Sequence, residues 1–393
     1  MLSLQQVDTE QSLIREKKDN YKKRLYSLDL LKLICMFFIV CGHGFLYGST
    51  TLMSGFSTQR VMSSFISSFF CVAVNVFVLI SGYFLVNQRF HIKRLIILAI
   101  EVFFYSFLIL IINKWILKTP LSMKDIVTML LPISFGHYWF ISAYFGLSLL
   151  SPVINRAINS MTKRQHLFSI LIMIVCFSLW SDFIPRSNAF GVGSGYCLTW
   201  FIVLYFIAAY IRKYIDIATI NKRKALIIYC ALMIIVFVLN ELASLISRKL
   251  PMLNEYELNT FFSRYNCLLV VMGSVALFCA FLPLDLSKMR QLKLITSSSK
   301  TTLGIYLIHG GPYTSHLIWS FMFSVLSIDA SLSYPFKVIL VSIILYSVCL
   351  CIDFIRNRVF LILENSTWFC SLTDKLEKKL KELLGYIYRR TNC

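Results

Sequence analysis

The 393-residue chain is 58% hydrophobic and 15% aromatic but only 15% charged, with a formal net charge of +20. That composition excludes a soluble globular domain, which needs a charged surface around its core. The basic excess does not point to nucleic acid either, because the 39 Lys and Arg residues gather in alternate loops between long apolar runs, as membrane topology demands.

Residues 1–26 are polar and basic and lack the short apolar core and small-residue cleavage site of a signal peptide, so they read as a retained N-terminal tail. Apolar stretches of spanning length follow at 28–47, 61–86, 94–117, 137–155, 166–181, 196–211, 224–247, 261–284, 302–325 and 334–361, each near the ~20 residues that a bilayer core requires. The segment 121–135 is apolar too, but Lys124, Asp125 and Pro132 make it an interfacial or re-entrant piece. Residues 371–390 space Leu372, Leu376, Leu380, Leu383 and Ile387 at helical intervals among lysines, which predicts a basic amphipathic helix on the inner leaflet. The expected fold is therefore an all-α polytopic membrane protein of about ten transmembrane helices, with a membrane domain at 27–362 between a basic N-terminal tail and an amphipathic C-terminal tail at 363–393.

Basic residues set the orientation, since they collect in cytoplasmic loops. The N-terminal tail holds Arg15, Lys17, Lys18, Lys22, Lys23 and Arg24, and alternate loops continue with Arg89, Lys93 and Arg94, with Arg156, Lys163 and Arg164, and with Arg212, Lys213, Lys222, Arg223 and Lys224. The same side takes Lys288, Arg290, Lys293, Lys300 and the basic residues from Arg356 to Arg390. The opposite loops hold far fewer: Arg60, Lys114, Lys118, Lys124, Arg186, Arg248 and Lys249. Both termini are placed in the cytoplasm. The twelve cysteines stand singly, without a C-x-x-C pair, so neither a zinc site nor a disulfide framework is expected.

Ionisable residues inside spans are costly and are default functional candidates. In the first span, Lys32 and His43 are eleven positions apart, which is three helical turns plus ~20° and ~16 Å of rise, so both project from one face. Asp29 lies on that face as well, one turn before Lys32, and the bland reading of Lys32 is a snorkelling lysine paired with it. The bland reading of His43 is a packing histidine between Gly42 and Gly44. In the third span Arg94 and Glu101 share a face, and Glu101 suits a structural ion pair across helices as well as it suits a catalytic acid. In the ninth, His309 and His316 flank Gly310-Gly311-Pro312, a break that frees backbone groups and marks a cavity. His137 opens the fourth span beside Tyr138 and Trp139, which an interfacial aromatic belt would explain.

Four of these segments, in order, resemble the integral-membrane acyltransferase 3 family. They are SLDLLKLICMFFIVCGH with its Lys32-to-His43 spacing, NVFVLISGYFLV from Asn75, GHYWFI from Gly136 and TTLGIYLIHG from Thr301. Typical members carry arginine where Lys32 stands; lysine keeps the charge but not the bidentate fork. Lys93-Arg94 resembles only half of the family's R-x-x-R pattern, since Phe90 and His91 precede it. The resemblance implies a bacterial plasma-membrane enzyme that takes an acyl group from a donor such as acetyl-coenzyme A on the cytoplasmic side. The acceptor it implies is a hydroxyl of a surface polysaccharide or its lipid-linked precursor. Lys32, Lys93 and Arg94 would then meet the anionic end of the donor, His43 would be general base or transient acyl carrier, Glu101 would hold a cation or orient a histidine, and His309 would stabilise the oxyanion. A glycan transporter or flippase is the competing reading, since lone charges and broken helices suit translocation too, and a purely structural membrane subunit is the third.

Overall fold

The computed structural model describes residues 25–52, 57–184, 190–249, 260–311, 313–328 and 331–390. The basic tail from Arg15 to Arg24, Arg186 and Pro312 lie outside the described residues. Among those described, every regular element is a helix. In chain order they are α1 (Tyr26–Leu52), α2 (Thr58–Ser68), α3 (Ala73–Leu85), α4 (Ile92–Ile111), α5 (Met123–Leu130), α6 (Trp139–Ser160), α7 (Lys163–Ile174), α8 (Trp180–Phe183) and α9 (Leu198–Tyr214). The second part holds α10 (Lys222–Lys249), α11 (Leu268–Phe281), α12 (Leu292–Ser298), α13 (Thr302–His309), α14 (Ser315–Val325), α15 (Tyr334–Glu364) and α16 (Thr367–Arg390).

Eight stretches among the described residues are long and apolar enough to cross a membrane, and α2 and α3 join into one of them, Thr58–Leu85. Two of the ten expected crossings take another form. The helix α9 has 17 residues, and the stretch at 302–325 is broken into α13 and α14. The break falls where Gly310 and Gly311 offer no side chain to pack and Pro312 offers no N–H to a helical ladder. The segment expected at the interface forms α5, whose first turn is closed by Ser122 and Asp125 bonding each other's backbone in a capping box.

Large apolar side chains such as Phe168, Leu171, Ile227, Ile343 and Ile355 stand exposed on the outer helices, which is how a surface dissolved in hydrocarbon must look. Inside, the packing falls into two large groups, beside smaller clusters around Phe45 and around Met129. One is built around Leu28, Leu31, Val76, Leu79, Phe201, Tyr205 and Phe278, joining α1, α3, α9 and α11. The other joins α1, α4, α13, α14 and α15 through Met36, Val40, Val102, Leu307, Trp319 and Val341. Ile39, Phe77, Phe140 and Tyr144 pack against both groups, so α1, α3 and α6 form the seam between them.

The basic helix ends meet at one end of the bundle. Lys213 donates to the carbonyl of Ile158 at 3.2 Å, Asn155 to that of Leu85 at 3.0 Å, and Lys93 to that of Glu364 at 3.1 Å. The opposite end is tied by an Arg60–Glu241 ion pair and by Arg264 with Asp182 at 3.0 Å. Arg356 corrects the charge assignment: counted with the C-terminal tail, it is buried within α15.

Candidate active site

Along the seam runs a cavity of about 820 Å³. Its wall follows α1 from Lys32 through Ile39, Gly42 and His43 to Tyr47, a rise of ~22 Å, or most of a bilayer core. The basic end is lined by Lys32, Gln88, Arg89, His91 and Arg94, and the far end by Tyr47, His137, Trp139, Tyr196, Tyr265 and Gly310. The equal-face arithmetic for Lys32 and His43 thus reflects a shared cavity wall.

His43 owes its position to its two glycine neighbours. A Cβ on Gly42 would meet nothing within 4 Å, whereas one on Gly44 would lie 2.9 Å from the Trp319 ring and 3.0 Å from Val338. One glycine widens the cavity and the other lets α14 and α15 pack tightly behind α1. The His43 ring lies 5.1 Å from that of His309, centroid to centroid, and 5.9 Å from Tyr47. His43 Nδ1 and His309 Nε2 are buried and have no hydrogen-bond partner among the described residues. His309 Nδ1 lies 2.5 Å from the carbonyl of Ile305. A carbonyl can only accept, so that nitrogen carries the proton, and in the neutral form of the ring Nε2 is an acceptor. An acceptor nitrogen cannot donate to an oxyanion, but it can receive a hydroxyl or an imidazole N–H.

At the far end His137, 5% exposed, has neither ring nitrogen partnered among the described residues. Its ring stacks on Tyr313 at 5.4 Å and 13°. Tyr313 donates to Asp125, and the Ser122 hydroxyl, with Tyr313 second, holds that carboxyl below the usual range for aspartate. His137 is therefore fixed through α5.

The family model for the acyltransferase domain matches residues 25–356. The chain belongs to the acyltransferase 3 family. No curated protein and no solved structure gives a significant match. An acyltransferase embedded in the membrane needs a route along which donor and acceptor can meet away from bulk water, and the matched region contains the whole seam cavity.

The structure distributes the other expected site residues unevenly. Lys32 lines the acyltransferase cavity with its ammonium 3.7 Å from Asp29, which also accepts from Ser299 at 3.1 Å. Arg94 lines the basic end and donates to Gln88. Lys93 points elsewhere. It reaches the carbonyl of Glu364 and stands 5.7 Å above the Phe369 ring, bracing α16 against the start of α4. His91, 3.3 Å from Glu377, makes the second brace. Arg89 occupies the mouth where Lys93 was expected.

Glu101 touches the cavity wall, but its carboxylate accepts from Arg356 at 2.6 Å. Arg356 also donates to Asp353 through Nε at 2.9 Å and Nη2 at 2.8 Å, and the Tyr105 hydroxyl donates to Asp353 at 2.6 Å. A Cβ on Gly304 would fall 1.8 Å from an Asp353 oxygen, so only glycine lets α13 cross α15 over this cluster. Of its members, Asp353 and Arg356 are not singled out by the sequence reading. The signal is present all the same: two ionisable residues at i and i+3 inside the last apolar stretch.

Proposed function

We propose that this acyltransferase moves an acyl group, acetyl above all, from acyl-coenzyme A at the basic mouth to a hydroxyl of a surface polysaccharide or its lipid-linked precursor. The reading is supported by one observation above the others: a single cavity joins a cluster of cations to the imidazole of His43 about three helical turns away, with the buried His309 ring 5.1 Å from it. Phosphates of the donor require that kind of cationic mouth. The charge distribution supports a cytoplasmic orientation for the mouth, the side on which acyl-coenzyme A is made.

Lys32, Arg89 and Arg94 hold the nucleotide end while the pantetheine arm runs along α1 toward His43. The imidazole of His43 takes the proton of the acceptor hydroxyl, whose oxygen attacks the thioester carbonyl. The tetrahedral intermediate expels coenzyme A as a thiolate, which takes up the proton, and the products are an O-acyl ester and free coenzyme A. His309, fixed by Ile305, accepts from the His43 ring beside it. Apolar walls from Ile39, Phe77 and Phe140 keep water from competing as the acceptor.

Replacing Arg94 with alanine is expected to raise the KM for acetyl-coenzyme A by about tenfold, with kcat changed far less, because a charge-assisted phosphate contact is lost from ground and transition states alike. Initial rates of the reconstituted enzyme against acetyl-coenzyme A concentration measure it. The function itself is tested by mass spectrometry of surface glycan from cells with and without the gene. An ester-linked acyl mass present only with the gene is the expected result. Unchanged acylation with an altered amount of surface glycan would favour transport instead.

A further inference from the structure

Three aromatic rings from three separate parts of the chain meet on the cavity wall at the end away from the basic mouth. Trp139 opens α6, Tyr196 precedes α9 and Tyr265 precedes α11. Their centroids are 4.5 Å apart for Trp139 and Tyr196, 4.8 Å for Tyr196 and Tyr265, and 5.8 Å for Trp139 and Tyr265. The backbone that brings Tyr196 there is strained. Gly193, Ser194 and Gly195 follow one another at φ of +49°, +58° and +92°, a left-handed run that the glycines adopt freely and the serine only against the clash of its Cβ. A Cβ on Gly195 would lie 2.7 Å from that of Tyr265. Behind the rings, the fully buried Asn75 donates to the Tyr265 carbonyl at 2.8 Å and accepts from Trp200 at 3.1 Å.

Burial does not offset this strain, because Tyr196 stays 52% exposed. The fold therefore holds an aromatic surface open to the cavity with a rigid backing, and strain retained at such a place points to a ligand. The negative faces of aromatic rings attract the weakly positive C–H bonds of a saturated ring. A flat face of axial C–H groups rimmed by hydroxyls belongs to a pyranose, and the unpartnered nitrogens of His137 on the same wall suit such hydroxyls.

We propose that Trp139, Tyr196 and Tyr265 form the stacking platform for a pyranose ring of the acceptor, placing one of its hydroxyls toward His43. The proposal rests on the acyl-transfer reading for its biological meaning, but its test uses no acyl donor. The full chain in lipid nanodiscs is titrated with the methyl glycosides of glucose, galactose, N-acetylglucosamine and rhamnose, and saturation transfer from protein to sugar C–H groups is read by NMR. At least one glycoside is expected to bind the wild type. Tyr196→Ala is expected to weaken that binding by about tenfold, the loss of one stacked ring face, while Tyr196→Phe keeps it. Absence of binding by all four glycosides, equal binding by Tyr196→Ala, or equal loss in Tyr196→Phe overturns the proposal. Failure of acyl transfer itself would be seen separately, as the absence of acetyl-coenzyme A consumption.

Discussion

His43→Ala protein is expected to insert into the membrane in normal amount and to lose acyl transfer by about 10²–10⁴-fold, the usual contribution of a positioned general base. The effect belongs to chemistry and not to folding, because His43 lies against a cavity and its Nδ1 makes no hydrogen bond that the mutation would break. Gly42, on the same wall, already leaves open space beside it. His43→Gln keeps the volume and a polar tip but has no basic nitrogen, so it is expected to be as inactive as alanine. Initial rates with labelled acetyl-coenzyme A in proteoliposomes give the comparison, with protein quantified in the same vesicles. Either variant retaining more than a tenth of wild-type activity would remove His43 from the role of base. The same vesicles separate the two chemistries open to an imidazole. A base leaves no label on the protein when the acceptor is withheld, whereas an acyl carrier accumulates one.

Much of this site is legible in the sequence because the information is local. Hydropathy places the long helices, and the 100° step of a helix puts Lys32 and His43 on one face from their spacing alone. The Gly310-Gly311-Pro312 signal marks the real break between α13 and α14. What stays hidden depends on partners distant in the chain. Nothing near Glu101 reveals that its charge is taken by Arg356, and Arg356 reads as a tail residue because it sits where an apolar stretch grades into a basic segment. The hydrogen bond that fixes the His309 ring is local, yet its meaning comes from His43 beside it. Lys93 shows the opposite error: a basic residue at a helix start resembles a phosphate ligand until the C-terminal helix is seen to occupy it. The aromatic platform cannot be read at all, since Trp139, Tyr196 and Tyr265 each look like an ordinary interfacial aromatic where they stand.

Arg356→Met is expected to cost about 3–5 kcal/mol of stability, the penalty of leaving a buried charge without its partner. The cluster holds one cation against two carboxylates. The side chains of Arg356, Glu101 and Asp353 are 5%, 9% and 0% exposed, so water cannot replace the missing guanidinium. Asp353 has no room to turn away, being bonded by Tyr105 on one side and pressed against Gly304 on the other. Glu101→Gln acts in the other direction on the balance. It leaves Asp353 and Arg356 as a neutral pair and keeps an oxygen for the guanidinium, so its cost is expected to stay within about 1 kcal/mol. Thermal unfolding of the purified protein, followed by the loss of its monodisperse peak on size exclusion after heating, ranks the two variants. A large fall in Tm for Arg356→Met beside a small one for Glu101→Gln assigns Glu101 to the scaffold that holds α4 against α15. The reverse order would show that the charge on Glu101, not the one on Arg356, is what the cluster exists to keep. If Glu101→Gln folds normally and yet loses acyl transfer as completely as His43→Ala, the carboxylate acts on the cavity it touches, and Arg356 is there to hold it in place.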